Sequence, residues 1–423
     1  MDIKMKTLLE GITLYMLPDD KFKNAVEGIY FTFPLKKETA TGLALLPKIL
    51  TAGNSRYSGR SAITLKTEEL YGARVQCGTE KQGESQVVSF VGDSISDRYA
   101  GEALYGEVDG LLKTIILEPQ MQNGAFPAEI FAREKEGLRE DIKSIINDKR
   151  RYALLRCSEE MCKNEPYGIR ADGTEEDLDR LSSEGVYALY KELLKTAKVD
   201  IFVVGAFSPE IAEQRAAEFA AALGARKADY PETTRKKAEE VRFVEDKENV
   251  QQGKLVIGYR TDVDPKIPEY YALMVYNAIF GGGTASKLFN NVREKMSLCY
   301  YASSGLEKAK GLMFVQSGIE FSKYDVALEA IRKEAEEIRK GNISDAEFYG
   351  SVQGIVNQLR SYKDSPGQLL AYYRRQLPFG NLCDIEEIIG KLQAVSKAEV
   401  QKVAEKVRMD TVYFLNGTGG DAK

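Results

Sequence analysis

Two homologous domains of the α+β class, each with helices packed on a largely antiparallel sheet, are the fold that the sequence predicts. Three observations carry that expectation. The chain repeats its own pattern at a nearly constant offset, each copy has an early β-branched and aromatic run, and each such run leads into an apolar helix pattern. A length of 423 residues also exceeds one ordinary domain, since a domain holds roughly 100–200 residues.

The repeat is legible residue by residue. Ala44-Leu45-Leu46 and Gly53 return as Ala272-Leu273-Met274 and Gly281, 228 positions later. Gly78-Thr79-Glu80-Lys81 returns as Gly305-Leu306-Glu307-Lys308. Phe131, Gly137, Leu138 and Ser144 return as Phe348, Gly354, Ile355 and Ser361. The offset falls in one direction only, to 217, as short loop deletions would produce.

The elements repeat as well. Val26–Leu35 and Leu255–Tyr259 read as strands, because β-branched and aromatic side chains dominate them. Gly42–Leu50 and Tyr270–Phe280 follow as apolar helices, the first containing Pro47 and hence a kink. Gln86–Val91 and Leu312–Gln316 form a second strand pair. Leu104, Val108, Leu111, Leu112 and Ile115 then recur at three- and four-residue steps, as one helix face does; Val326, Leu328, Ile331, Ala335 and Ile338 do the same in the second copy. Ser344-Asp345-Ala346-Glu347 is a capping box opening a further helix, and Pro127 stands at the matching helix start of the first copy. Between the copies, Arg226–Gly253 is charged, mixed in sign and poor in apolar residues. It reads as a linker, dividing the chain into residues 1–225, 226–253 and 254–423; a solvated helix continuing the first domain is the alternative.

Composition narrows the function. With 59 basic and 64 acidic side chains the net charge is −5, which leaves no footprint for nucleic acid. No apolar run approaches the roughly 18 residues of a membrane span, and the first residues are broken by charges and Gly before a signal-peptide core accumulates. A cytoplasmic protein is expected. Five cysteines are odd in number and few for the length, so they read as reduced thiols. The chain contains no histidine, where ordinary usage would supply about nine. That excludes Ser-His-Asp and Cys-His nucleophiles and HExxH zinc sites. Any catalysis would have to run on carboxylates, Lys, Tyr, Cys or a cofactor.

Four features could carry chemistry. Gly281-Gly282-Gly283-Thr284 precedes a helical stretch and could offer backbone N–H groups to an anion, but it lacks nucleotide-loop spacing and reads more simply as a turn admitting another backbone. Arg293 and Tyr300 lie seven residues apart; the helix is expected to end near Ser297, with Tyr300 opening a strand, and both side chains are good donors to a peptide carbonyl. Glu134 and Asp141 lie two helical turns apart, fit either for a metal or for a solvated salt-bridge face. The fourth is the kinked apolar helix Leu43–Ile49.

The duplication, the segment Pro166–Leu178 (PYGIRADGTEEDL), the segment Phe202–Glu210 (FVVGAFSPE) and above all Phe280–Ser304 (FGGGTASKLFNNVREKMSLCYYASS) resemble the insulinase/pitrilysin family of zinc peptidases, related to the mitochondrial processing peptidases. The resemblance covers nearly the whole chain and is to the inactive, YmfF-like bacterial branch. Active members carry His-x-x-Glu-His after a Gly-Ile-Ala segment. Laid on Gly42-Leu43-Ala44, the two histidine positions hold Leu45 and Ile49, the general-base position holds Lys48, and the downstream ligand position holds Asp141, with Glu134 retained. The resemblance therefore implies no metal, no cofactor and no catalysis by this chain alone. It also implies that Arg293 and Tyr300 hold a peptide substrate. The expected partner is a homologous subunit bearing the intact zinc motif, in a heterodimer, with a homodimer as a further possibility. A non-proteolytic peptide-binding or assembly protein is the alternative.

Overall fold

The fold is that of a computed structural model, which describes residues 3–380 and 382–418. The chain forms two compact units, and neither is a contiguous half. The first holds the residues up to Lys143, Ile169–Glu232 and Tyr362–Pro378; the second holds Ser144–Gly168, Thr233–Ser361 and the stretch from Phe379 onward.

The first unit is built on six strands: β1 (Lys4–Leu9), β2 (Ile12–Pro18), β3 (Asn24–Pro34), β4 (Arg74–Gln82), β5 (Ser85–Ile95) and β6 (Lys198–Gly205). Their order is β1-β2-β6-β3-β5-β4. Every pair is antiparallel except β2 with β6. One face carries Leu14, Ile29, Phe31, Val88, Phe90, Ile201 and Val203 into a single core. The helices Lys37–Leu50, Leu104–Leu117, Ala128–Ser144, Ser183–Thr196 and Pro209–Leu223 add their apolar stripes to that core. The helix Pro366–Arg374, from the second half of the sequence, packs on β3 and β6 within this unit. Its Arg374 guanidinium lies 4.7 Å from the Tyr30 ring centroid and pairs with Glu80 of β4. Long runs of β3 and β6 are consequently buried without interruption, which is the pattern of strands covered on both faces.

The second unit repeats the plan with five strands: β7 (Arg242–Glu248), β8 (Gly253–Arg260), β9 (Cys299–Glu307), β10 (Leu312–Ile319) and β11 (Arg408–Gly417), in the order β7-β11-β8-β10-β9. The lone parallel pair is again the one nearest the start of the copy, β7 with β11. One face receives the helix Lys149–Met161, from the first half of the sequence, on β8 and β11. Its Ala153, Cys157 and Met161 join Val256, Phe314, Tyr413 and Leu415 in one core. A side chain at Gly258 would meet the Met161 sulfur at 2.5 Å, so the helix approaches the sheet as closely as it does because that residue is glycine. The other face carries the helix Glu269–Gly281, whose Phe280 ring meets Tyr259 of β8 edge-on at 6.2 Å.

Two expectations about organisation need correction. The stretch 226–253 is not a linker throughout, because β7 lies inside it and is the counterpart of β2. Its residues alternate between half-buried and exposed, and its charges belong to an edge strand, where charge discourages further pairing. The division into residues 1–225 and 254–423 fails at Lys149–Met161 and Pro366–Arg374. These are equivalent helices in the repeat, and each packs on the sheet of the unit that the other half of the chain mainly builds.

Candidate functional site

The degenerate motif lies in the first unit, on the helix Lys37–Leu50. Leu45 and Ile49 are buried in the hydrophobic core, so the positions matched to zinc-binding histidines are hydrocarbon facing hydrocarbon. Lys48 reaches the helix Ala128–Ser144, where its Nζ lies 2.6 Å from Asp141 Oδ2. Two turns earlier on that helix, Glu134 is buried. It accepts from Arg133 Nε at 2.9 Å and from Arg60 Nη2. Arg60 also donates to the Lys48 carbonyl at 3.4 Å. Both carboxylates are thus matched to side-chain cations. Zinc needs three or four well-placed N, S or O donors, and the residues present do not fit it: an ammonium stands where the base would be, and the two acids already hold cations.

The Gly-rich turn has a packing role. A side chain at Gly281 would lie 2.6 Å from the Ser304 backbone nitrogen of β9, so the bare backbone admits the neighbouring strand. Cys157 and Cys162 are buried in the core formed with β8 and β11, and burial pushes the Cys157 thiol up, the opposite of what a thiolate ligand requires.

Arg293 and Tyr300 lie in the second unit, on a segment that departs from regular geometry three times. Leu288–Lys295 is a π-helix, closed by a bond from the Met296 N–H to the Asn291 carbonyl at 3.0 Å. Asn291 is itself held, donating to Glu334 Oε2 at 2.8 Å and accepting from Lys295 at 2.9 Å. Ser297 then adopts a left-handed φ of 49°. The edge strand β9 starts at Cys299, as expected near Tyr300, and its ladder with β10 skips Tyr300: Tyr301 pairs with Gly318 and Cys299 with Ile319. Tyr300 is the extra residue of a β-bulge, and it is 78% exposed. The Arg293 guanidinium stacks 4.7 Å from the Phe289 ring centroid, with its Nε 3.6 Å from Glu294 Oε1. No hydrogen bond or ring contact joins Arg293 to Tyr300 among the described residues. π-turns, bulges and left-handed non-glycine residues concentrate at functional sites. The seven-residue spacing singled out Arg293 and Tyr300 as candidates, but nothing in the sequence announced the distorted backbone beneath them.

The chain is similar to known proteins over its whole length. Probable inactive metalloprotease YmfF of Bacillus subtilis is 31% identical over 423 residues, covering 99% of this chain and 98% of its own length. The chain belongs to the M16 peptidase family. Residues 180–355 of this M16 chain match the family's inactive domain, Peptidase M16 inactive domain. The crystal structure of a conserved protein from Enterococcus faecalis V583 superposes with a TM-score of 0.91 at 30% identity, over 100% of both chains. That of a peptidase M16 inactive domain from Pseudomonas fluorescens superposes at 0.81 and 18% identity, over 100% of both, and speaks for the fold alone. The protein is an inactive M16 peptidase homologue of α+β architecture. Among the described residues, no helix is long and apolar enough to cross a membrane.

Proposed function

We propose that this chain is the substrate-positioning subunit of a heterodimeric zinc peptidase. In this reading Arg293 and Tyr300 donate to the peptide backbone, and a homologous chain with an intact zinc motif supplies metal and general base. The observation that carries it is the succession of π-helix, left-handed Ser297 and bulged Tyr300. Such geometry is costly to maintain and presents the phenol outward from an edge strand. Five cysteines without disulfides are in keeping with work in a reducing compartment such as the cytoplasm. The test is copurification from native cells, followed by turnover of the reconstituted pair. Arg293→Ala and Tyr300→Phe should each lower peptide cleavage by about a hundred- to a thousandfold, as loss of one oxyanion donor does, while the pair stays assembled. Unchanged turnover in both variants would remove the role.

A second reading, a peptide-binding or assembly protein without proteolysis, draws on the missing direct contact between Arg293 and Tyr300 and on the complete replacement of the metal ligands. Recovery from cells with no zinc-motif partner, together with retained peptide binding, would favour it.

A further inference from the structure

We propose that Arg60 and Arg133 form an anion-binding site in the first unit, and that its ligand is the free C-terminal carboxylate of a peptide. Glu134 is 4% exposed, yet the two guanidinium side chains it holds are 55% and 56% exposed. A buried carboxylate thus orients two half-exposed forks. Neither fork is saturated. Arg60 engages its partners through Nη2 alone, leaving Nε and Nη1 without a partner among the described residues. Arg133 engages through Nε alone, leaving both of its terminal nitrogens. Planar forks of this kind match a carboxylate with two parallel hydrogen bonds.

The charge count agrees. Lys48, Arg60 and Arg133 face Glu134 and Asp141, which leaves one positive charge, enough for a monoanion. The contrast lies in the second unit, where Arg242 and Arg260 line a polar cavity of about 440 Å³. There the guanidiniums are committed to Glu165, Asp410 and main-chain carbonyls, so they serve structure. At the Arg60 corner, the core supplies the orienting acid and the solvent side keeps the donors.

The peptide identity of the ligand rests on the peptide-binding reading above; the anion site does not. The probes are an N-terminally fluorescein-labelled Ala-Leu-Ala-Leu-Ala peptide as the free acid, the same peptide as the C-terminal amide, and inorganic phosphate as competitor, with binding read by fluorescence anisotropy. Wild type should bind the acid about ten- to a hundredfold more tightly than the amide, the worth of a charge-assisted pair. The double variant Arg60→Gln, Arg133→Gln should erase that difference. Because it leaves Glu134 without its cations, a second double variant, Arg60→Lys, Arg133→Lys, keeps the charge, removes the forks and should lose most of the discrimination. Arg180→Gln, at an exposed first-unit guanidinium paired with Glu176 and Asp177, should retain it in full, while the earlier reading is tested separately by partner-dependent cleavage in Arg293→Ala and Tyr300→Phe. Equal binding of acid and amide by wild type, absence of binding included, overturns the proposal. So does discrimination that survives both double variants or disappears with Arg180→Gln. Phosphate competition without an acid–amide difference overturns the carboxylate assignment.

Discussion

Glu27 lies on β3 and is 3% exposed, beneath a cluster drawn from two helices. Asp109, Lys113 and Tyr105 come from Leu104–Leu117 and Arg215 from Pro209–Leu223; Asp109 holds Lys113 at 2.5 Å and Arg215 Nε at 2.8 Å. Burial first, and then the charge of Asp109, push the Glu27 carboxyl well above its ordinary range, against the opposing pull of Lys113 and Arg215. The sign of the linkage follows. A carboxyl whose folded pKa is raised contributes its full stability below about pH 4.5, its unfolded value, and that contribution fades as pH rises toward the folded one. Glu27→Gln, which cannot ionise, should therefore show a flatter dependence of urea midpoint on pH than wild type between pH 5 and 9, with the gap moving in the variant's favour at the alkaline end. Parallel profiles would contradict a neutral buried Glu27. At the same scale, what stands at the positions matched to the zinc ligands, Leu45, Ile49 and Asp141, was legible from residue identity alone. What Lys48 and Arg60 do instead required three dimensions, since Arg60 lies on a separate helix, Arg60–Glu69.

The helix Lys149–Met161 shows what an element needs in order to pack on the sheet of the second unit. Its apolar stripe supplies Ala153, Cys157 and Met161, while its last turn leaves carbonyls without helical partners. Arg242 of β7 donates to the Glu160 and Met161 carbonyls at 2.8 Å each, and Arg260 of β8 donates to the Met161 carbonyl at 3.1 Å. Cations are favoured at that end of a helix. Burial would raise the pKa values of Glu165 and Asp410, but hydrogen bonds overrule it. Arg260 and Lys310 hold Glu165 below its usual range; Thr411, Arg260 and Arg242 do the same for Asp410. Depressed carboxyls contribute stability that is present above their unfolded values and lost as pH falls through the folded ones, so this unit should weaken below about pH 4.5. Arg260→Met would leave two buried acids short of a partner, at a cost of about 3–5 kcal/mol. Urea unfolding at pH 7 checks it, and a change under 1 kcal/mol would show that the network does not anchor the helix. This element also marks where sequence reading stopped. Strands β3, β5, β8 and β10 were legible from their apolar runs, and the Ser344 capping box forms as expected, with the Glu347 N–H bonded to the Ser344 hydroxyl at 3.2 Å. β7 was hidden because an edge strand carries the charges of a loop. The near-continuous apolar character of Val26–Leu35 did hold a clue to a second covering layer, but not to which helix would provide it.

Across the molecule, the exchange of Lys149–Met161 and Pro366–Arg374 decides how the chain can be cut. Residues 227–241 contain no helix or strand, and exposed irregular chain is where proteases act first. If each half were a domain, one cut there would release two folded pieces. Instead, a fragment ending at Glu232 lacks Leu369, Leu370 and Tyr373, which are buried on the helix that covers β3 and β6. A fragment starting at Thr233 lacks Ala153, Cys157 and Met161, the helix side of the core on β8 and β11. Removing one large buried side chain already costs about 2–5 kcal/mol, and a whole domain is stable by only about 5–15 kcal/mol. Neither fragment should fold when expressed alone. Expressed together, each supplies the other's missing helix, and the pair should assemble. Limited proteolysis of the intact protein should accordingly give two bands on a denaturing gel but a single species of unchanged elution volume on gel filtration, until denaturant is added. Two separate folded fragments after nicking would show that each half completes its own core, and the exchange of helices would then be wrong.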